Sequence, residues 1–191
     1  GAFLTLAGGS HDFLAGAGFS GAGLLTISGA ATVVNLLAPS TVDSGFTMSG
    51  GTVQGGDLIL TGATAIAISS SLGVMSGTGT TTLRGQTSIA NFSLDAGRTL
   101  RNEATTNLVG SIDLNRTNAP GAGRIVNAAG ALFDLRTFNH GIGATNQGGA
   151  DNGLDAFVEN AGIWRKSTLG NNYSIGVSFN NLASGVIDIQ T

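Results

Sequence analysis

Apolar side chains fall at every second position in a series of short runs, among them Leu25 and Ile27, Phe46 and Met48, and Leu58 and Leu60. A two-residue period is that of a β-strand with one buried face, because successive side chains point to opposite sides. The runs share a cassette that closes on glycine: LTLAG at 4–8, LTISG at 25–29, FTMSG at 46–50, LILTG at 58–62, VMSG at 74–77 and TTLRG at 81–85. Gly8, Gly29 and Gly50 follow one another at a spacing of 21 residues, and glycine turns a chain through positive φ without the steric cost other residues carry. Two sub-types alternate. ATVV, TAIAI and TSIANF follow shortly after Gly29, Gly62 and Gly85, whereas GTVQGG and TGTTTL follow Gly50 and Gly77. The repeat is therefore expected to be a pair of strands.

A second cassette takes over in the C-terminal half, reading IVNAAGALFDL at 125–135, FVENAGIWRKS at 157–167 and FNNLASGVIDIQ at 179–190. Each has a strand, an Asn, a corner of small residues and another strand. Asn102, Asn127, Asn160 and Asn181 recur at intervals of 25, 33 and 21 residues. Stacked corners would place these amides in a ladder, where buried amides satisfy one another. Repeats of about 21 to 27 residues, with glycine corners and no helical period, describe a right-handed parallel β-helix, an all-β solenoid whose coils are not stable singly. About eight coils at roughly 4.8 Å each give a rod near 40 Å long.

Residues 1–191 read as one solenoid domain, with inward positions that include Leu25, Ile27, Phe46, Met48, Leu58, Leu60, Leu83, Phe92, Leu94, Phe157 and Phe179. The wider spacings, Gly29 to Gly62 and Asn127 to Asn160, mark protruding loops, the longest at 137–156. A β-sandwich is the alternative fold, since it too has turn signals every 8 to 12 residues or so.

Composition narrows the function classes. The 191 residues include 32 Gly and 2 Pro, with 41% hydrophobic and 10% charged residues. A formal charge of -3 and a mean hydropathy of +0.27 argue against a disordered linker. Lys and Arg are absent before Arg84 and balanced by acids after it, so no basic patch faces a nucleic-acid backbone. Cysteine is absent, which excludes disulfides and thiolate metal sites. The uncharged stretch 58–83 is long enough for a bilayer, but glycines at 62, 73, 77 and 79 and many Ser and Thr residues speak against a membrane helix. The sequence starts at Gly1 with no basic segment before an apolar one, so no signal peptide is visible in it and a mature or excised piece is expected.

The cassettes LTISGAATVV, LILTGATAIAI and FNNLASGVIDIQT resemble the repeat regions of bacterial autotransporter passengers and filamentous-haemagglutinin-like adhesins, across essentially the whole chain. The resemblance implies export through an outer membrane and display at the cell surface as a rod.

Several motifs invite a chemical reading. Gly16, Gly18 and Gly21 spell GxGxxG, but no helix pattern follows, so they read as glycine corners. Ser10, His11 and Asp12 hold triad residue types, yet neighbours on a strand face opposite ways and a turn is expected there. The stretch His140, Asn146, Asp151, Asn152 and Asp155 is a loop of oxygen donors. It is read as a solvated contact patch with Asp151 and Asp155 as a weak Ca²⁺ candidate, because a lone imperfect calcium repeat lacks its tandem partner. Trp164, Arg165 and Lys166 join this patch, with the tryptophan packed at its edge. Threonines at 80–82, 87, 99, 105 and 106 are candidates for outward ladders of an ice-binding face. Asn91, Asn115 and Asn172 begin glycosylation sequons, relevant in a host that uses them.

These observations point to a non-enzymatic, secreted or surface-displayed rod without cofactors that spaces, stacks into filaments or adheres. Its expected partners are flanking coils, copies of itself, or a host glycan or surface protein. A polysaccharide lyase or hydrolase is the alternative, and with one Trp and one Tyr the chain is poorly supplied with sugar-stacking aromatics.

Overall fold

A computed structural model describes residues 1–66, 73–137, 140–168 and 172–190. Every strand ladder in it is parallel, joining one turn to the next, so the chain is an all-β solenoid of about 8 turns. Each turn carries three strands rather than the expected two, as in Gly45–Met48, Thr52–Gly55 and Leu58–Leu60. The recurring cassettes fall on all three, LTISG and FTMSG on the first, VMSG on the second, and LILTG and TTLRG on the third.

Stacking these strands makes three faces. The first runs from the leading half of Leu24–Leu36 through Gly45–Met48, Thr64–Ile66, Thr87–Ile89, Thr105–Leu108, Leu132–Leu135 and Ile163–Lys166 to Val186–Ile189. The second runs from the trailing half of Leu24–Leu36 through Thr52–Gly55, Val74–Ser76, Phe92–Leu94, Ile112–Asp113 and Gly141–Gly143 to Ser174–Ile175. These two form one bent sheet, with the bend of Leu24–Leu36 at Gly29, φ 82°. The third face is an 8-stranded sheet from Gly18–Phe19 to Ser178–Asn181.

The core is a set of columns along the axis. On the first face Leu25, Phe46, Thr64, Thr87, Thr106, Phe133 and Trp164 stand in register. Burying each apolar member is worth about 1.5 to 3 kcal/mol relative to exposure. Leu25, Ile27, Phe46, Met48, Leu58, Leu60, Leu83, Phe92 and Leu94 are buried as expected, and Phe179 packs partly buried against them. Phe157 is not an inward residue. It alternates with buried Val158 and faces out beneath the Arg124 guanidinium, 5.4 Å from its ring centroid.

Threonine placement also departs from expectation. Thr81, Thr87 and Thr106 point inward and are fully buried, which removes them from any outward ladder. Thr87 Oγ1 donates to Gly85 O at 3.2 Å and Thr106 Oγ1 to Asn102 Oδ1 at 2.9 Å, so each hydroxyl is satisfied inside the core. The outward column Thr80–Thr99 continues into Arg124.

The asparagine ladder forms as the spacing predicts, at the corner between the third and first faces. Asn102, Asn127 and Asn160 are buried, and each Nδ2 donates to the next Oδ1 at 2.8, 2.8 and 2.7 Å, ending on Asn181. The same nitrogens reach the next corner's carbonyls, Leu132 O at 2.9 Å and Ile163 O at 3.1 Å. In earlier turns the column is apolar, with Val42, Leu60 and Leu83 in place of the amides.

Three further sequence expectations change. Residues 10–12 lie within the strand Phe3–Phe13 rather than a turn, and Ser10 and Asp12 both accept from Asn35 Nδ2, at 2.9 and 2.7 Å. Gly29 and Gly62 sit at different corners, so their spacing marks no loop. The segment 137–156 is interrupted by the strand Gly141–Gly143, which leaves 144–156 as the protruding part. Ala67 and Ile68 of the TAIAI run, with Phe138 and Asn139 of that segment, lie outside the described residues.

Charge is used sparingly. Glu103 accepts from Arg84 Nε at 2.9 Å and Arg101 Nε at 2.7 Å, and these bonds hold its carboxyl below the usual range. Their stabilisation is present above the ordinary carboxylate pKa and lost as pH falls through the folded value. With the partners' side chains 28% to 51% exposed, water screens the trio to roughly 1 kcal/mol or less.

Candidate functional site

On turns six and seven the chain leaves the second face through long loops before reaching the third, at residues 114–123 and 144–156. Stacking of the turns lays one loop on the other. Asp95, fully buried, anchors the first: its Oδ2 accepts from Thr117 N at 2.5 Å and its Oδ1 from Ala96 N at 2.9 Å. Asp113 joins the two loops, with Oδ1 accepting from Asn115 N at 3.0 Å and Thr145 N at 3.1 Å and Oδ2 from Thr145 Oγ1 at 2.6 Å. Gln147 Nε2 donates to the carbonyls of Asn115 and Arg116 at 3.0 and 2.8 Å. Asp155 Oδ2 accepts from Ala122 N at 3.1 Å.

Beside the loops lies a shallow cleft of about 410 Å³, whose lining includes Ser111, Asp113, Arg116, Gly141, Gly143, Thr145 and Ser174. His140 Nδ1 lies 3.0 Å from Ser111 Oγ, which also accepts from Gly141 N at 3.3 Å. Asp113 is held by Thr145 and Asn115, and among the described residues no carboxylate hydrogen-bonds to the His140 ring. The arrangement offers a polar, pre-ordered contact surface.

The expected patch divides in two. Asn146 and Asn152 accept from Gly148 N and Leu154 N at 2.9 and 3.1 Å and shape the loop. Asp151 and Asp155 lie in the same loop, with His140 at the near end of the adjacent strand. Trp164, Arg165 and Lys166 are on the first face, separated from the loop by the second-face strand Gly141–Gly143. Trp164 is interior, 3% exposed, stacked on Phe133 at 4.4 Å and edge-on to Phe179 at 5.4 Å. Arg165 pairs outward with Asp188 at 2.8 Å, and Lys166 Nζ donates to Thr168 O at 2.7 Å. Among the described residues no group of three or more His, Cys, Asp or Glu gathers at metal-binding distance.

Two participants carry no sequence signal for the structural part they play. Asn115 is fully buried, which closes its sequon to glycosylation, while Asn91 and Asn172 are exposed. Arg98 is also fully buried and reaches across two turns, donating from Nη1 to Gly55 O and Gly56 O at 3.0 and 2.7 Å and from Nε and Nη2 to Thr81 Oγ1 at 3.1 and 2.8 Å. Burial lowers its pKa to about 10, partly offset by Asp57, so it is charged at neutral pH and pins the corner below the loops.

Comparison with known proteins gives no matching family model, no matching curated protein and no matching solved structure.

Proposed function

We propose that the chain is a structural and adhesive rod displayed outside a bacterial cell, continuing coil on coil along its axis and presenting the corner loops of turns six and seven to a target. The observation that carries this reading is the state of the terminal strands. Phe3 and Leu4 are 75% and 49% exposed and Ile187 and Ile189 52% and 74%, whereas the register mates of Leu4 and Ile187, Leu25 and Trp164, are 2% and 3% exposed. A strand with its backbone edge and core column both open is a template for one more parallel strand. Such an edge accepts a further coil, and another copy would supply it in a head-to-tail contact that does not close. The likeness of the cassettes to autotransporter-passenger and haemagglutinin-like repeats supports export and display. The polar, irregular loops support adhesion to a glycan or surface protein.

Electron microscopy over a concentration series tests the axial contact. Fibres that lengthen with concentration, with an axial repeat near ~4.8 Å, are expected if copies stack. Rods that remain separate at every concentration contradict copy-to-copy stacking. For the loops, replacing residues 145–153 by two glycines is expected to leave the far-ultraviolet circular dichroism unchanged and to remove binding on a glycan array. Binding kept by that variant, or no binding by the intact chain, overturns the loops as a glycan contact.

A further inference from the structure

Two acceptors are left over in the stacked loops. Asn115 is 0% exposed, and its Oδ1 is buried with no hydrogen-bond partner. Its orientation is settled by the other end of the amide, since Nδ2 donates to Thr145 O at 2.9 Å and Asp151 O at 3.4 Å. Exchanging O and N would set an acceptor against two carbonyls. Asp151, touched by that same amide, has a buried Oδ2 that also lacks a partner. The Asp151 backbone is already engaged, with its N on Gly148 O at 3.1 Å and its O taking Gln147 N at 3.0 Å.

An unpartnered buried acceptor is costly. The neighbouring donors are committed elsewhere: Gln147 Nε2 to the Asn115 and Arg116 carbonyls, Thr145 to Asp113. The other two carboxylates nearby, Asp113 and Asp155, accept backbone hydrogen bonds. Hard oxygen atoms on an irregular loop, with positive φ at Gly148, Gly149 and Gly153, suit a cation that tolerates variable coordination, which favours Ca²⁺ over Mg²⁺.

We propose that Asn115 Oδ1 and Asp151 Oδ2 are protein ligands of a Ca²⁺ site formed where the two corner loops stack, with loop carbonyls and water completing the shell. With a single carboxylate ligand the affinity falls in the range of extracellular modules, a Kd of about 10⁻⁴ to 10⁻³ M. The ion locks the second loop onto the first.

Thermal unfolding of the full chain in about 10 mM CaCl₂, against EDTA and against MgCl₂ at equal ionic strength, tests this, alongside direct calorimetric titration with Ca²⁺. The melting temperature is expected to rise by about 4 °C in Ca²⁺ and to stay at its EDTA value in Mg²⁺. Asp151→Asn removes the Ca²⁺ response and, keeping the backbone hydrogen bonds of residue 151, melts near the parent in EDTA. Asp188→Asn, on the first face, keeps the response. No response in the parent, an equal response to Mg²⁺, or a response retained by Asp151→Asn each overturns the site.

Discussion

Gly110→Ala is expected to cost about 4 kcal/mol or more, beyond the usual range for a point substitution, and to lower the melting temperature by at least roughly 8 °C. A Cβ on Gly110 would sit 1.1 Å from Ala90 O and 2.2 Å from Ala90 C, both backbone atoms of the preceding turn. Relief by separating the turns is blocked on either side of the corner. Val109 N donates to Ile89 O at 2.7 Å and Phe92 N to Ser111 O at 3.1 Å. Tyr173 Oη, from two turns on, also donates to Gly110 O at 2.9 Å, and burial raises that phenol's pKa. Gly130→Ala is the control. Nothing lies within 4 Å of its Cβ position, and only φ +80° opposes the substitution, a cost of about 1 to 2 kcal/mol. Chemical denaturation of both variants measures the difference.

Asn127→Leu is expected to destabilise by about 3 to 5 kcal/mol, the next largest effect. Asn160 Oδ1 and Ile163 O lose their donor, and Asn102 Nδ2 loses one acceptor, all inside the corner stack. Each orphaned group costs about 1 to 3 kcal/mol. Asn181→Leu, at the exposed end of the ladder, should change stability by roughly 1 kcal/mol or less. The same column is apolar at Leu60 and Leu83, so leucine fits the site. Replacing Asn102, Asn127 and Asn160 together should therefore cost less than the sum of the single changes, since the orphaned partners disappear together. Full additivity would contradict the ladder as a coupled unit.

The ladder was legible in the sequence because its spacing copies the turn length, and loop length adds only to the interval that contains the loop. Positions such as Leu25, Phe46 and Leu60 were legible because one strand of alternating residues is enough to assign a face. The three-strand turn was not, because some strands are too short to display a period: Gly18–Phe19 and Ile112–Asp113 have two residues each. The inward Thr87 and Thr106 deceive because a threonine matches valine in shape and hides its hydroxyl on a nearby acceptor. Phe157 deceives in the opposite sense, since its face is dictated by the parity of Val158 and Asn160. Arg98 and Asn115 were beyond reach of any local pattern. Arg98 contacts groups 17, 42 and 43 residues away, and Asn115 meets Thr145 and Asp151 at separations of 30 and 36. Such partners meet only once the turns are stacked.

The parallel coil-on-coil register is the claim on which every other inference depends, and nuclear Overhauser spectroscopy of the isotope-labelled chain tests it most directly. The account predicts backbone contacts in parallel register linking Leu100 to Ile125 and Ile125 to Val158, with the Asn127 side-chain amide protons protected from exchange. Close Hα–Hα contacts between antiparallel neighbours, with those amide protons exchanging freely, would mean a sandwich and would contradict the solenoid.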